Sequence, residues 1–347
     1  MRARRAGKPP FDEKVLTGVT PAFTAAQVQE LLREHWGLAA RSVSPLDSER
    51  DQNFKVDGDA GRYVLKIANS AEAPALTNLQ TRAIRHVAAT DAEVPVQRIV
   101  PTRTGSDSAF ADGSTIRLLT WLNGIPLHLT PGGSAQRQSV AAGHARLVRA
   151  LREFTSDSPP PVLQWDVKHA AKLRDGLDAV PQDLRESVEA ALERFVRHAA
   201  PKLAGMPHQY VHNDMQPHNV VVDAQNTDRL SGILDFGDMV CTPVACDLGV
   251  ACAYHVLPGS HPLQTVADYV AAFDAVRPLS DVELETLPAL IMARQITTIV
   301  ITSRRALTHP ENAPYILRNR PIIKSGLEQL LPMSQDQAVE YLRSICR

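Results

Sequence analysis

The stretch "YVHNDMQPHNVVVD", residues 210–223, places a group of polar side chains between two short apolar runs. Its centre has the form H-x-D-x-x-x-x-N, made by His212, Asp214 and Asn219. The flanking valines predict strands, so we expect the polar centre to form the loop between them. Three interpretations are open for such a loop: a metal site, an ordinary polar turn, or a site that moves a phosphoryl group.

Two further passages favour the third interpretation. Asp235-Phe236-Gly237 follows sixteen residues after Asn219, and Lys66 lies far upstream in the predicted strand "YVLKIA". A strand lysine, H-x-D-x-x-x-x-N and D-F-G, in this order, are the signature set of protein-kinase-type phosphotransferases. A zinc-like site would instead need several His or Cys ligands, and the loop offers only His212 and His218.

Each part of the set matches a task in phosphoryl transfer, which depends on positioning and charge neutralisation more than on covalent chemistry. We expect Asp214 to orient the attacking hydroxyl and accept its proton as the catalytic base. Asn219 and Asp235 offer the oxygen ligands that Mg²⁺ prefers. Lys66 is expected to hold the α- and β-phosphates of a nucleotide.

Composition excludes several other classes of protein. The 347 residues are 44% hydrophobic and 22% charged, which is ordinary for a globular chain long enough for two subdomains. Thirty-seven basic and thirty-eight acidic residues leave a net charge of −1, so no global field attracts nucleic acid or an anionic membrane. The four cysteines form no C-x-x-C pair, and no apolar segment follows the basic start "MRARRAGKPP". We therefore expect a cytoplasmic protein without a nucleic-acid or membrane partner, of open oligomeric state.

The apolar periodicity predicts an α+β chain in which a small sheet precedes many helices. A helix near residues 25–36, three antiparallel strands, a helix beginning at Pro74 and a further strand pair predict a five-stranded antiparallel sheet with one inserted helix. Beyond "WLNGIPL" the spacing is helical, and "LPALIMARQITTIVIT" (residues 287–302) is typical of a buried helix. We expect a flexible tail at 1–20, a sheet lobe at 21–118, a hinge at 119–124 and a helical lobe at 125–347.

These motifs resemble the aminoglycoside phosphotransferase and choline kinase-like superfamily, over nearly all of residues 20 to 345. Asn213 replaces the arginine typical of protein kinases, and no Ala-Pro-Glu follows the D-F-G. Four passages resemble the hydroxylysine kinase branch: "SERDQNF", "YVLKIAN", "RLLTWLNGIPL" and "ILDFGDMVCTPVACDLGVACAY". The resemblance implies a protein-kinase-like two-lobe fold and a small-molecule kinase that uses Mg²⁺ with ATP or GTP.

The resemblance also implies roles for individual residues. Asp247 would steady the catalytic loop, and His212 would hold its backbone. The passage "SERDQN" would replace the glycine-rich loop over the nucleotide, and four hinge residues would face the purine. The cofactor-binding candidates besides Lys66 are Ser48, Arg50, Gln52, Leu119, Thr120, Trp121 and Leu122.

The helix after the third strand departs from the family pattern, because it has no obvious glutamate to pair with Lys66. Glu72 comes early in this segment, and Gln80 lies nearer the expected place. Glu93 is a further candidate. We interpret Gln80 as a feature of this branch and count it among the cofactor-binding candidates, since a neutral amide can accept a hydrogen bond from lysine but cannot form a salt bridge; the partner of Lys66 stays open.

The acceptor is expected to bind in the helical lobe, beside the catalytic loop. Acidic and aromatic side chains suit a cationic amine, and a basic one suits a carboxylate. The candidates are Asp238, Trp165, Asp166, Tyr254, Tyr315 and Arg294. Arg294 lies in an apolar helix, so it must contact either a ligand anion or an internal acid.

Three functions remain open at this point. The first is transfer of the γ-phosphoryl group of ATP or GTP to a hydroxyl of an amino alcohol or hydroxylated amino acid. The second is an aminoglycoside or other alcohol phosphotransferase on the same scaffold. The third is a non-catalytic pseudokinase that acts as a binding module, against which the intact Lys66, Asp214, Asn219 and Asp235 argue.

Overall fold

The computed structural model describes residues 20–48 and 51–346, and it divides the chain between Leu122 and Asn123 into two units. The first unit contains the described residues up to Ala92, then Val96–Leu122 and Ser156–Pro159. The second contains Glu93–Pro95, Asn123–Thr155 and the residues from Pro160 onward. The division falls inside the segment 119–124, for which a hinge stays a prediction, and the predicted tail lies almost wholly outside the described residues.

The first unit is built around an antiparallel sheet. Its elements are α1 (Ala25–Leu31, continued by a π-turn at Leu32–Trp36), β1 (Ala40–Leu46), β2 (Gln52–Gly58), β3 (Gly61–Ile67), α2 (Pro74–Thr90), β4 (Ile99–Val100), β5 (Ala109–Ala111) and β6 (Ser114–Thr120). The strand order is β1-β2-β3-β6-β4, and β5 pairs with β6. The five predicted strands and the inserted helix are confirmed.

The sixth strand, β5, was not predicted, because it lies in a polar passage that resembles a plain loop. It joins β6 through a tight turn at Asp112 and Gly113, whose φ angles are 48° and 77°. Positive φ at both central positions is the geometry of a type I′ hairpin, for which Asp-Gly is a strong signal. The dipeptide was therefore a usable indication of a hairpin.

Alternation along the strands separates a core face from a polar face. Leu65 and Ile67 are fully buried in a core that includes Val28 and Leu32 of α1, whereas Lys66 points to the opposite face. On that opposite face Lys66 is flanked by Asn53 of β2 and Arg117 of β6. The sheet thus presents two cations side by side on neighbouring strands.

The second unit is mainly helical and contains two small antiparallel ladders. Its elements are β7 (Ile125–Pro126), a 3₁₀ turn (Leu127–Leu129), α3 (Ser134–Ala150), a 3₁₀ segment (Val167–Ala179), α4 (Gln182–His198), α5 (Ala200–Leu203), β8 (His208–Val211), β9 (Val220–Val222), β10 (Leu230–Ile233), β11 (Val240–Pro243), α6 (Val244–Cys252), α7 (Gln264–Val276), α8 (Asp281–Thr308), a 3₁₀ turn (Pro310–Asn312), α9 (Ala313–Ile316), α10 (Arg320–Leu330) and α11 (Gln335–Arg343). One ladder has the order β10-β9-β7 and the other pairs β11 with β8. The α+β class, with a sheet unit followed by a helical unit, is confirmed.

Helix α8 forms the centre of the second unit. It begins with a capping box, in which the Ser280 hydroxyl accepts from the Glu283 amide and the Glu283 carboxylate accepts from the Ser280 amide. Among the described residues it is the one helix long and apolar enough to cross a membrane, but 94% of its apolar window is buried inside the unit. That burial is typical of a core helix, as its sequence predicted.

Helix α6 packs closely against α8. A Cβ atom at Gly249 of α6 would lie only 2.8 Å from Cβ of Leu290 on α8. Only glycine therefore allows the two helices to approach to this distance, which sets Asp247 at the start of α6 and Arg294 in the middle of α8 around one region of the unit.

Candidate active site

The loop that contains Asp214 connects β8 to β9, and a residue near its start has a left-handed backbone conformation. Asn213 has a φ of 63°, a conformation that asparagine tolerates better than most non-glycine residues. Its backbone N–H donates to Asp247 Oδ1 at 2.7 Å, and its side-chain Nδ2 donates to the carbonyl of Asp238 at 3.1 Å. Asn213 thereby links the loop both to α6 and to the segment after Asp235-Phe236-Gly237.

His212 connects the same two segments from the other side. Its Nε2 donates to the Leu234 carbonyl at 2.8 Å, which leaves Nδ1 to accept from the Asp214 N–H at 3.3 Å. The imidazole also packs edge-on against Phe236, with ring centroids 5.0 Å apart. A backbone bond of 2.8 Å from Leu234 N to the Asn219 carbonyl completes the link. His212 thus lies where a residue that holds the loop backbone is expected.

The carboxylate of Asp214 is buried and held by donors on both oxygens. Oδ1 accepts from Arg294 Nη2 at 2.7 Å. Oδ2 accepts from Asn219 Nδ2 at 2.7 Å and from Gln216 Nε2 at 2.9 Å. Gln216 is in turn oriented by Asn319, whose Nδ2 donates to Gln216 Oε1 at 2.7 Å. These contacts fix the carboxylate in one orientation.

Asn219 and Asp235 offer oxygen atoms on the two linked segments. Asn219 uses its Nδ2 on Asp214, which leaves its Oδ1 as the atom that a hard cation would choose. Asp235 is exposed, has a φ of 60° and accepts from Gly237 N at 3.2 Å through Oδ1. No group of three or more His, Cys, Asp or Glu side chains among the described residues could hold a metal. An amide oxygen and one carboxylate fit Mg²⁺, which takes its remaining ligands from phosphates and water.

Asp247 supports the loop from α6 and has a partner that sequence reasoning missed. Its Oδ2 lies 2.8 Å from His144 Nε2, and His144 Nδ1 lies 3.0 Å from the Tyr269 hydroxyl. Burial alone would raise the pKa of Asp247, but the charge and hydrogen bond of His144, with His212 and the Asn213 amide, lower it below its usual value. In the sequence, the one indication of this role is that His144 occupies an apolar position of a predicted helix.

Arg294 forms an internal salt bridge, which was one of the two predicted alternatives for this arginine. Its partner is Asp214. The arginine is only 3% exposed. Its Nη2 and Nε donate to the Tyr254 hydroxyl at 3.1 and 3.3 Å, and its Cζ lies 5.1 Å from the ring centroid of Trp165. Burial opposes the charge on Arg294, but Tyr254, Asp214 and Asp238 outweigh burial and raise its pKa above the usual value. Tyr254, Trp165 and Arg294 therefore meet beside the Asp214 carboxylate.

Two acceptor candidates have other roles in the structure. Asp166 is buried at the start of the 3₁₀ segment, where it accepts from Lys168 N at 3.1 Å and from the Thr242 hydroxyl at 3.2 Å. Its second oxygen lies 3.0 Å from Lys168 Nζ. Tyr315 packs against Arg318, whose Cζ is 3.8 Å from the ring centroid. These contacts make Asp166 a cap of the 3₁₀ segment and link it to Thr242, and its contact with an acceptor stays a prediction.

In the first unit, Gln80 contacts a cation on the strand next to Lys66. Its Oε1 accepts from Arg117 Nη2 at 2.9 Å, while Arg117 Nη1 donates to the Thr77 carbonyl at 3.3 Å. Arg117 neighbours Lys66 across the β3–β6 ladder. The amide oxygen of Gln80 therefore accepts from the neighbouring arginine, a buried residue that the sequence analysis did not single out, and a role for Gln80 beside Lys66 stays a prediction.

Further cofactor-binding candidates are tied into the first unit. The Gln52 amide exchanges two hydrogen bonds with the backbone of Phe23, at 2.8 and 2.9 Å, and its contact with the nucleotide stays a prediction. The Thr120 N–H donates to the Arg98 carbonyl, and the Thr120 carbonyl accepts from Gln97 Nε2. Leu119 pairs with β4 in the sheet. Their role at a hinge facing the purine stays a prediction.

The remaining nucleotide candidates lie at the ends of strands or outside the described residues. The Trp121 N–H donates to the Arg62 carbonyl at 3.0 Å, and its ring lies 5.5 Å from Lys55 Nζ. Leu122 and Ser48 are half-buried. Arg50 lies outside the described residues.

The chain is similar in sequence to known phosphotransferases. The family model described as "Phosphotransferase enzyme family" matches residues 42–279. Hydroxylysine kinase of Mus musculus is 29% identical over 355 residues, which cover 93% of this chain and 93% of that protein. Homoserine kinase of Rhizobium johnstonii is 25% identical over 245 residues, which cover 66% of this chain and 70% of that protein.

A solved structure shares the fold. Amicoumacin kinase hAmiN in complex with AMP-PNP, Ca²⁺ and Ami has a TM-score of 0.66 and 15% sequence identity, over 91% of this chain and 97% of that one. The predicted kinase-like fold class is thereby confirmed.

Proposed function

Because the chain belongs to the phosphotransferase enzyme family, we propose that it transfers the γ-phosphoryl group of ATP or GTP to a hydroxyl of a small hydroxylated amine or amino acid. One observation carries the proposal: the Asp214 carboxylate is held by Arg294, Gln216 and Asn219 in a loop tied to the Asp235 segment. A reaction that depends on positioning needs such an oriented carboxylate.

In this mechanism Asp214 accepts a hydrogen bond from the acceptor hydroxyl and takes its proton as the oxygen attacks phosphorus. The contacts with Gln216, Asn219 and Arg294 keep the carboxylate aligned, so little reorganisation is needed during the reaction. His212 and Asp247 act through the loop backbone and are positioning residues. Lys66 is proposed to hold phosphate oxygens of the nucleotide.

The residues that would hold Mg²⁺ are Asn219 and Asp235, whose oxygens fit a hard cation. When bound, the ion would neutralise the charge of the phosphates and orient them. The link from His212 to Leu234 keeps Asp235 on a segment fastened to the catalytic loop, which supports joint ligation by the two side chains.

An amino-acid acceptor of the hydroxylysine or homoserine type is favoured over a polycationic aminoglycoside. The relatives described above include a hydroxylysine kinase and a homoserine kinase. Asp238, which interacts electrostatically with Arg294, is proposed to contact the acceptor amine.

Two other assignments stay alternatives. An amino alcohol or aminoglycoside acceptor on the same scaffold would use Asp238, Trp165 and Tyr254 in place of Arg294. A non-catalytic binding module would not need the three donors on Asp214. We also propose a cytoplasmic location, since the cysteines are free thiols that suit a reducing compartment.

The experiment is a screen of the purified chain with Mg²⁺, ATP or GTP and a panel of hydroxylated amines and amino acids. Release of nucleoside diphosphate that depends on the acceptor is the expected result. The Asp214→Asn protein serves as the blank for contaminating kinases. Absence of acceptor-dependent release across the panel, with nucleotide still bound, would favour the binding module.

A further inference from the structure

Arg294 uses only part of its hydrogen-bonding capacity on the contacts described above. Nη2 donates to Asp214 and Tyr254, and Nε donates to Tyr254. Nη1 is buried and has no hydrogen-bond partner within the described part of the chain. A buried charged donor normally has an acceptor, because leaving it without one is unfavourable. The terminal nitrogen therefore needs an acceptor that these protein contacts do not supply.

The position of Nη1 indicates where that acceptor comes from. Nη1 and Nη2 are the two terminal nitrogens of one planar group, and Nη2 lies 2.7 Å from the Asp214 carboxylate. In the proposed function, Asp214 contacts the hydroxyl that receives the phosphoryl group. An anionic group at Nη1 would therefore lie close to that hydroxyl, within reach of the same small molecule.

The surroundings of the guanidinium favour a planar anion. The aromatic rings of Trp165 and Tyr254 lie 5.1 and 5.8 Å from Cζ, and the Tyr254 hydroxyl fixes the orientation of the group. A charge-assisted bond is strong in such a desolvated site. Trp165 is partly exposed, so the guanidinium lies next to a side chain that reaches the surface.

We infer that the phosphoryl acceptor carries a carboxylate and that Arg294 binds it through Nη1 while its Nη2 holds Asp214. The inference rests on the proposed function and narrows it: the acceptor is a hydroxylated amino acid and not an amino alcohol. Arg294 would then fix the position of the acceptor carboxylate relative to the Asp214 carboxylate.

The test compares matched acceptors with the full chain and MgATP. The acceptors are 5-hydroxylysine and homoserine, their carboxamides, and their decarboxylated forms 1,5-diaminopentan-2-ol and 3-aminopropan-1-ol, with one aminoglycoside. We expect kcat/KM for the better amino acid to exceed that for its carboxamide and its decarboxylated form by about 10- to 100-fold, as for a lost charge-assisted contact.

Arg294→Gln separates carboxylate binding from alignment of Asp214. The substitution is expected to lower turnover of every acceptor through Asp214 and, in addition, to bring the preference for the carboxylate close to 1. Arg304→Gln, on the same helix, is the control and should keep the preference. If Arg294→Gln does not fold, the wild-type acceptor series alone tests carboxylate binding.

The outcomes distinguish the inference from the function on which it rests. Equal kcat/KM for an amino acid and its carboxamide, or a preference unchanged in Arg294→Gln, would overturn carboxylate binding and leave the kinase assignment intact. Turnover of only the amines without a carboxylate, or of the aminoglycoside, would do the same. No turnover of any acceptor would contradict the proposed function itself.

Discussion

His144 Nε2 lies 2.8 Å from Asp247 Oδ2, and both side chains are completely buried. The pair joins α3 to α6, and the second oxygen of Asp247 accepts from the Asn213 amide at the left-handed entrance of the catalytic loop. The orientation of the loop backbone therefore depends on a helix more than sixty residues upstream of the motif.

Replacing His144 by Leu should destabilise the fold and weaken turnover. The change leaves the Asp247 carboxylate buried without its partner, which costs about 3 kcal/mol or more in the free energy of unfolding. Chemical denaturation measures this loss, and His309→Leu, at a histidine whose side chain is 43% exposed, is the control. A His144→Leu protein as stable as the wild type would show that the pair does not support the loop.

Asp214→Asn should lower kcat by about 10²–10⁴ because the amide cannot take the proton of the acceptor hydroxyl. Its size is unchanged, so nucleotide binding should persist, as measured by nucleotide-dependent thermal stabilisation. The exposed Asp228→Asn should keep full turnover. Unchanged kcat in Asp214→Asn would remove this residue from the mechanism.

Asp235→Ala should remove the stabilisation that Mg²⁺ and nucleotide give together. In the wild type, ligand at a hundred times its Kd stabilises the folded state by about 2.7 kcal/mol. Thermal unfolding with and without Mg²⁺ and AMP-PNP measures the effect, and Asp228→Ala is the matched control. Equal shifts in the Asp235→Ala protein and the wild type would contradict the metal assignment.

Protonation of the buried His255 should lower the free energy of unfolding in mild acid. Burial, with a contribution from Arg137, lowers the pKa of His255 from 6.5 to about 4. The unfolded chain therefore binds the proton more readily, and stability is lost as the pH falls from 6.5 towards 4. The loss from this group is about 2 kcal/mol at pH 5.

The comparison that isolates this group is His255→Phe, which keeps a ring against Tyr269. Denaturation curves at pH 7.5 and pH 5 should show a smaller acid loss in the variant than in the wild type, by about 2 kcal/mol. An equal loss of stability between pH 7.5 and pH 5 in both proteins would mean that groups other than His255 cause it.

Local patterns explain what could be predicted from the sequence. His212, Asp214 and Asn219 occupy one loop, and period-2 alternation on either side of Lys66 indicated its strand. Both signals lie within a few neighbouring residues. The family motifs then assigned the order of the two units, because their spacing is characteristic of kinases.

Long-range partners could not be predicted in the same way. Arg294 and Asp214 are 80 residues apart, and His144 and Asp247 are 103 apart, so nothing in the local periodicity pairs them. Gln80 was noted for its helical position near Lys66, whereas its contact with Arg117 depends on side-chain reach across the sheet. Gln52 was assigned to the nucleotide from its motif, whereas its amide pairs with a backbone segment that no motif marks.

The placement of Arg294 in the middle of α8 has a consequence for any attempt to retarget this enzyme. The same helix supplies the apolar centre of its unit and the cation beside Asp214, so a substitution at 294 alters structural integrity and substrate choice together. Trp165 and Asp238, which lie outside the helices, can be varied at smaller structural cost. A library aimed at new acceptors should therefore begin at those two loop positions and keep the helix intact.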